Sequence, residues 1–162
     1  MARLTHTDRS GKARMVDVGP KRVTRRRAVA EGLVRLGAES YRLLRDDRLS
    51  KGDALAVARL AGIQAGKRTQ EWIPLCHQVP LDHLQVEIGL DDDARTARVV
   101  ATAEARWVTG VEMEALVAAS AACLALYDMV KGVDRGAVVE RIALLEKSGG
   151  RSGTWRRRRR RV

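Results

Sequence analysis

The stretch GVEMEALVAASAACLALYDMVK, residues 110–131, decides the fold because it is long and apolar enough to form a buried helix. Its charged residues are confined to the two ends, with Glu112 and Glu114 at the start and Asp128 and Lys131 at the finish. Asp128 and Lys131 are three positions apart, so they project from one helix face and can act on one ligand. A structural ion pair that closes the helix explains the same two residues, and both interpretations stay open here.

Alternation of apolar and polar residues on both sides of this helix is typical of strands. The pattern predicts strands over residues 15–18, 23–36, 83–90, 97–107 and 138–145, with the acidic turn DDDART joining the third to the fourth. Helices are predicted over residues 38–45 and 53–68, the second capped by Asp53, and two prolines make residues 72–80 irregular. Hairpin strands combined with long helices predict an α+β fold, with helices packed on one face of an antiparallel sheet.

Length and composition point to one globular domain. The chain has 162 residues and 45% hydrophobic content, which predicts a single domain over residues 1–150 and a disordered Gly/Ser- and Arg-rich tail over 151–162. We find no apolar run approaching the roughly 20 residues that cross a membrane, and the polar N-terminus does not resemble a signal peptide. Two cysteines in unrelated contexts predict neither a disulfide framework nor a zinc site. We therefore expect a cytoplasmic protein without membrane contact.

The net charge of +11 is concentrated in an unbroken run of six arginines, Arg156 to Arg161. Six like charges in a row repel one another and do not pack. Such a tail can bind nucleic acid through phosphate contacts, which would make the protein a binding module rather than an enzyme. Aromatic residues are only 3% of the chain and do not interleave with the arginines, so we do not expect nucleic acid as a partner.

Three cations lie at the two ends of the helix predicted over residues 53–68. Lys51 directly precedes it, where the helix dipole would push a lysine towards its neutral form, the form that acts as a base near neutral pH. A solvated lysine is the alternative. Lys67 and Arg68 complement the dipole at the other end, and phosphate binding is the alternative for that pair.

Two further segments carry groups suited to chemistry. IPLCH, residues 73–77, places a thiol beside an imidazole, but neighbours in extended backbone point apart. We interpret His77 as a hydrogen-bonding or proton-transfer group and Cys76 as a packing residue. EKSGGRSG, residues 146–153, offers exposed backbone N–H groups with Lys147 and Arg151, which suit phosphate; a flexible linker is the alternative.

Taken together, these segments resemble the cyclic pyranopterin monophosphate synthase family of molybdenum cofactor biosynthesis. The resemblance covers the chain from Leu4 to Gly153 and rests on these segments: LTH at 4–6, MVDV at 15–18, KGDALAVARLAGIQAGKRT at 51–69, IPLCH at 73–77, GVEMEAL at 110–116, YDMVK at 127–131 and LLEKSGGRSG at 144–153. It implies a lyase that converts 3′,8-cyclo-7,8-dihydroguanosine 5′-triphosphate to cyclic pyranopterin monophosphate and releases pyrophosphate. It also implies a ferredoxin-like subunit in a homohexamer of three dimers, with active sites at subunit interfaces.

The same resemblance assigns expected roles to individual residues. Acid and base groups would be Lys51, Asp128, Lys131 and His77, while substrate contacts would come from Leu75, Cys76, His77, Glu112, Met113 and Glu114. Triphosphate contacts would come from Lys67, Arg68, Lys147 and Arg151. No cofactor is evident in the sequence, since no metal-ligand cluster stands out, and whether Mg²⁺ accompanies the triphosphate stays open.

Two physical expectations follow for the site. Two lysines in one anion-binding pocket would lower each other's pKa, while Asp128 would hold one of them charged. The two charged ends of residues 110–131 are expected to border one pocket region. Gln78, Trp107 and Val108 depart from the family pattern, in which the last two positions are small and basic, and could change the shape of that pocket.

Overall fold

An antiparallel sheet of five strands underlies the fold in the computed structural model, which describes residues 12–158. The strands are β1 (Thr24–Arg35), β2 (His83–Asp91), β3 (Thr96–Trp107), β4 (Val138–Ser148) and β5 (Trp155–Arg156), in the spatial order β2-β3-β1-β4-β5. Helices α1 (Ala38–Arg45), α2 (Ala54–Gly66) and α3 (Thr69–Trp72) connect β1 to β2, and α4 (Glu112–Val130) connects β3 to β4. The predicted α+β class is confirmed.

The order of the elements, with the first three helices forming one crossover, is the β-α-β-β-α-β order of ferredoxin-like units. β5 extends this order at one edge of the sheet. The finer ferredoxin-like assignment stays a prediction.

Small side chains at alternate positions of the strands form the face of the sheet that packs against the helices. Ala28, Ala30 and Val34 of β1 are fully buried, and so are the odd-numbered residues of β3 from Ala97 to Ala103. α4 packs across β1, β3 and β4, with α2 beside it over β2. Small side chains let the helix backbone approach the sheet closely, so this alanine-rich core packs without Phe.

The opposite face of the sheet carries an ion-pair network. Buried Glu31 of β1 pairs with Arg98 and Arg141 from the two neighbouring strands. Glu104 pairs with Arg25 and Arg27 in the same way across β1 and β3. Cross-strand charge pairs of this kind fix the register of the sheet.

α4 is also long and apolar enough, by length and composition alone, to cross a membrane. The expectation that no apolar run approaches that length is therefore wrong. Most of the helix is buried against the chain's own sheet, and this is how the core helix of a globular domain passes the same test. Composition alone does not distinguish a membrane-spanning helix from the buried core helix of a globular domain, because both are apolar on all sides.

Three predicted boundaries differ from the structure. Residues 15–18 form no strand, and the Val16 carbonyl instead accepts a hydrogen bond from the His77 ring. β4 runs to Ser148, so the first part of the predicted glycine-rich loop is strand. Part of the tail expected to be disordered forms β5, where Arg156 pairs with Glu146 and Arg157 donates to the Leu144 carbonyl. The rest of the arginine run, from 159 on, and the matched LTH segment lie outside the described residues.

Gly62 sets the spacing between α2 and α4, and its replacement provides a test of that contact. A Cβ at Gly62 would lie 2.8 Å from the Ala118 carbonyl oxygen, so backbone would have to move. We expect Gly62→Ala to lower the free energy of unfolding by about 1–2 kcal/mol, because overpacking outweighs the better helix propensity of alanine. Denaturant unfolding measures it. Gly89→Ala is the control, since no described atom lies within 4 Å of its Cβ, and a Gly62→Ala protein as stable as that control would contradict the close contact.

Candidate active site

Antiparallel packing of α2 against α4 brings three predicted acid and base residues together. Lys51 precedes α2, whose first turn is capped by the Asp53 carboxylate on the Ala56 N–H at 2.9 Å. The Lys51 ammonium donates to the Asp128 carboxylate at 3.0 Å and to the Asp128 carbonyl at 2.6 Å. Lys131 lies 2.6 Å from the other carboxylate oxygen. We call Lys51, Asp128 and Lys131 the lysine–aspartate cluster.

The charges of this cluster are set by the carboxylate between the two lysines. Hydrogen bonds from Lys131 and then from Lys51 hold the pKa of Asp128 below its usual value. The hydrogen bond to Asp128 raises the pKa of Lys131 above its usual value. This shift agrees with the expectation that Asp128 holds one of the two lysines charged. Lys131 is a cation at neutral pH.

A basic cavity of about 700 Å³ opens at the other end of α4. It is lined by the start of β1, the segment that leads into α4, and the glycine-rich segment after β4. Its charged lining residues are Lys21, Arg22, Arg26, Lys147, Arg151 and Glu112. Five cations against one carboxylate make this cavity strongly attractive to an anion.

Local contacts build the wall of the basic cavity. The Lys147 ammonium donates to the Glu112 carboxylate at 2.8 Å, and Arg26 donates to the carbonyls of Trp107 and Val108. These carbonyls are backbone atoms, so the unusual side chains at the two positions leave this contact intact. Gly149 has φ of +101°, and a Cβ there would collide with the Arg25 carbonyl oxygen. Only glycine fits this turn, which folds Arg151 back over the cavity.

Three cavity cations were missed by sequence reasoning: Lys21, Arg22 and Arg26. The segment GPKRVTRRR, residues 19–27, indicates an anion-binding surface, because five of its nine residues are basic and lie where a strand begins. These three cations could have been found by searching the sequence for every basic cluster at the end of a predicted helix or strand, and not only for the glycine-rich segment. Alternation along β1 then separates Arg26 from Arg25 and Arg27, which lie on the ion-paired face.

Half-buried Cys76 and buried Glu114 form a polar pair beside the same end of α4. Glu114 is only 3% exposed, and the Cys76 sulfur lies 4.0 Å from one of its carboxyl oxygens. Its other oxygen, Oε2, is buried without a hydrogen-bond partner among residues 12–158. Burial raises the pKa of Glu114 to about 7. Glu112 and Glu114 therefore diverge, one into the basic cavity and one into this pair, in agreement with their two-residue spacing.

The Cys76 thiol is protonated at neutral pH, and this can be measured. Burial, and then the nearby carboxylates, raise its pKa to about 11. At pH 8 its thiolate fraction should be about 100-fold below that of a thiol with pKa 9, so we expect alkylation by iodoacetamide to be slower by that factor. Mass spectrometry of the Cys76 peptide gives the rate, with the guanidinium-unfolded protein as the control. Equal rates in the folded and unfolded protein would contradict the burial of this thiol.

The remaining predicted residues are more scattered. The His77 ring bonds to the Val16 carbonyl at 2.8 Å, which ties the segment before β1 to residues 73–77. Leu75 is exposed and Met113 is half-buried in the first turn of α4. Lys67 and Arg68 lie exposed at the end of α2 and are absent from the described lining of the basic cavity.

The two groups of charged residues are separated by the length of α4. Residues 113 and 131 lie 18 positions apart, which is about 27 Å along a helix. The expectation that both ends of this helix border one pocket region is therefore wrong within one chain. The lysine–aspartate cluster and the basic cavity, with Cys76 and Glu114 beside it, are two half-sites at opposite ends of α4.

A resident metal would need a cluster of ligands. Among residues 12–158, no group of three or more His, Cys, Asp or Glu side chains is placed to hold an ion. The cations of both half-sites suit an anionic substrate instead.

Comparison with known proteins identifies the family. A model of the MoaC family matches residues 15–150. This chain belongs to the MoaC family. It is 54% identical to a cyclic pyranopterin monophosphate synthase of Thermomicrobium roseum over 97% of this chain and 95% of that protein. It is 52% identical to the protein of the same name from Chloroflexus aurantiacus, over 95% of this chain and 94% of that one. Human molybdenum cofactor biosynthesis protein 1 is 51% identical over 95% of this chain, which spans 24% of the human protein.

Proposed function

We propose that this chain is a cyclic pyranopterin monophosphate synthase of molybdenum cofactor biosynthesis. The observation that carries the proposal is identity above 50%, over nearly the whole length of both chains, to MoaC-family proteins of that name. The proposed substrate is 3′,8-cyclo-7,8-dihydroguanosine 5′-triphosphate, and the products are cyclic pyranopterin monophosphate and pyrophosphate. This reaction is that of a phosphorus–oxygen lyase, and the proposed location is the cytoplasm.

The basic cavity supports a triphosphate substrate. Its five cations exceed its one carboxylate by four charges, which matches the roughly four negative charges of a triphosphate. In the proposed reaction a sugar hydroxyl oxygen attacks the α-phosphorus, the bond from that phosphorus to the bridging oxygen breaks, and pyrophosphate leaves. Lys147 and Arg151 would stabilise the charge that grows on the leaving group. Mg²⁺ carried by the triphosphate is compatible with this arrangement.

The lysine–aspartate cluster supports the proton transfers. Opening the imidazole part of the purine and rebuilding it as a pterin requires several transfers between nitrogen, oxygen and carbon. Lys131 would donate a proton, and Asp128 would hold both ammonium groups in place. His77 would contribute a further hydrogen bond from the neighbourhood of the basic cavity.

The two half-sites would work together only across two chains. A nucleotide cannot span the ~27 Å between the ends of α4. We therefore propose that the lysine–aspartate cluster of one subunit meets the basic cavity of another, in agreement with a homohexamer of three dimers that has shared active sites.

A product assay tests the activity, and mixing two inactive variants tests the shared site. Wild-type protein given the cyclic dihydroguanosine triphosphate should release pyrophosphate and form the pyranopterin in equal amounts. Lys131→Ala mixed with Lys147→Ala, after dissociation and reassembly, should recover about a quarter of wild-type turnover, because half of the dimers are mixed and each holds one intact site. No product from wild-type protein refutes the activity, and no recovery in the mixture refutes the shared site.

A further inference from the structure

The arginine run, Arg156 to Arg161, begins next to the wall of the basic cavity. β5 pairs antiparallel with β4, and Trp155 lies directly opposite Lys147, which lines the cavity. Residues 149–152, between the two strands, line the same cavity. The pairing therefore places the start of the arginine run about one strand spacing, roughly 5 Å, from a residue of the cavity wall.

Arg157 lies on the same side of the sheet as Lys147. Residues directly opposite each other in a sheet point to one side, and so do residues two apart along a strand. The Arg157 N–H donates to the Leu145 carbonyl at 2.8 Å, which continues the backbone pairing past Arg156. The Arg157 guanidinium lies 5.8 Å from the centre of the Trp155 ring, as this shared side requires. Its charge is therefore on the cavity side of the sheet.

In the described part of the arginine run, one carboxylate opposes three cations. Glu146 pairs with Arg156, and it also pairs with Arg27. Arg157 donates to a backbone carbonyl instead, and neither Arg157 nor Arg158 forms an ion pair with another of residues 12–158. Both side chains are exposed, so their positive potential extends into the solvent beside the cavity. The whole run contains six cations, one more than the basic cavity itself.

We propose that the arginine run attracts the triphosphate substrate to the basic cavity and raises its affinity without taking part in the reaction. The proposal rests on the proposed function, since it names the triphosphate as the anion. Three residues of extended chain span at most about 11 Å, so Arg158, near the middle of the run, lies within about 15 Å of the cavity wall. Screened Coulomb attraction between six cations and a tetraanion at about 15 Å corresponds to roughly 10-fold in affinity at 0.1 M salt.

A small multivalent anion fits this surface better than nucleic acid. Single-stranded nucleic acid binds where bases can stack on aromatic rings along a basic groove. The Trp155 ring has the Arg157 guanidinium over it instead. The run lies beside a cavity of about 700 Å³, and a volume of this size is typical of sites for small molecules.

Neutralising part of the run tests the proposal. The glutamine variant combines Arg158→Gln, Arg159→Gln, Arg160→Gln and Arg161→Gln. Arg156 and Arg157 stay in place, because their contacts hold β5 against β4. The matched control carries Arg158→Lys, Arg159→Lys, Arg160→Lys and Arg161→Lys, so it keeps the charge of the wild type.

We expect the glutamine variant to bind inorganic tripolyphosphate about 5-fold more weakly than wild type at 0.1 M salt, because it lacks four of the six charges. The lysine control should bind like wild type. At about 0.5 M salt all three proteins should bind alike, since the charges are then screened within roughly 4 Å. Isothermal titration calorimetry measures the affinity. With the cyclic dihydroguanosine triphosphate, KM should rise by the same factor while kcat stays at the wild-type value.

Three results overturn the proposal. The first is wild-type affinity of the glutamine variant for tripolyphosphate at 0.1 M salt. The second is a lysine control that binds as weakly as the glutamine variant, because charge alone then does not explain the effect. The third is a loss of affinity for a single-stranded oligothymidylate without a loss for tripolyphosphate, which identifies the run as a nucleic-acid contact.

The outcomes also separate this role from the proposed function. If wild type makes no pyranopterin but the glutamine variant binds tripolyphosphate more weakly, the run attracts anions and the activity is wrong. If wild type is active and the glutamine variant keeps both its KM and its affinity for tripolyphosphate, the activity stands and the role of the run is wrong.

Discussion

Lys131→Ala is expected to lower kcat by about 100- to 10,000-fold, the range that a positioned acid or base contributes to catalysis. The fold should tolerate the change, because the Lys131 side chain is 52% exposed and its ion pair with Asp128 lies at the surface. Exposed pairs contribute about 0–1 kcal/mol to stability, so the free energy of unfolding should stay close to the wild-type value. Pyrophosphate release measures turnover, and denaturant unfolding measures stability.

The control for this variant is Arg45→Ala. Arg45 is similarly exposed and pairs with Asp46 and Asp92, and neither of these carboxylates belongs to a half-site. It should keep wild-type turnover and show a similarly small change in stability. The result that contradicts an acid–base role for Lys131 is a loss of activity that only follows the loss of folded protein. In that case Asp128 and Lys131 would be the structural ion pair that closes α4.

Most of the fold could be predicted from the sequence because local pattern and packing agree. β1, β2, β3, α1, α2 and α4 were predicted within about two residues, since each has a clear period or a capping residue such as Asp53. MVDV at 15–18 was predicted as a strand and was wrong, because alternation over four residues does not say whether the segment finds a pairing partner. Pairing partners are a property of the whole sheet. The same holds for β5, whose two residues are fixed by Glu146 and not by their own composition.

The site was predictable residue by residue but not in its arrangement. The three-residue spacing of Asp128 and Lys131 indicated a shared face, and the structure adds Lys51 to it. The sequence could not show that the basic cavity lies at the other end of α4, because charge spacing along a chain carries no information about which ends meet. Alternation along β1 separates Arg26 from Arg25 and Arg27, but the pairing of β1 with β3 is needed to show which of the two faces carries the ion pairs.

Lys147→Ala is expected to weaken binding of the triphosphate substrate by about 100-fold. The substitution removes a cation from the basic cavity, and a hydrogen bond between charged groups contributes about 1.5–3 kcal/mol. It also leaves the Glu112 carboxylate without its ion-pair partner at 2.8 Å, so a negative charge then faces the phosphates. Isothermal titration with inorganic tripolyphosphate measures the affinity without depending on turnover. The loss should shrink as salt rises, because salt screens charges in an open cavity.

A second substitution separates these two effects. The double variant that carries both Glu112→Gln and Lys147→Ala has no unpaired carboxylate. Its affinity for tripolyphosphate should therefore be about 10-fold higher than that of Lys147→Ala alone. The recovery isolates the repulsion, since the cation is missing in both proteins. Glu112→Gln by itself should bind tripolyphosphate at least as tightly as wild type, because it frees the Lys147 ammonium for the ligand. If Lys147→Ala bound tripolyphosphate like wild type at low salt, the basic cavity would not be the phosphate site. The proposal of an active site shared between two subunits would then be wrong as well, because it places the phosphates in this cavity.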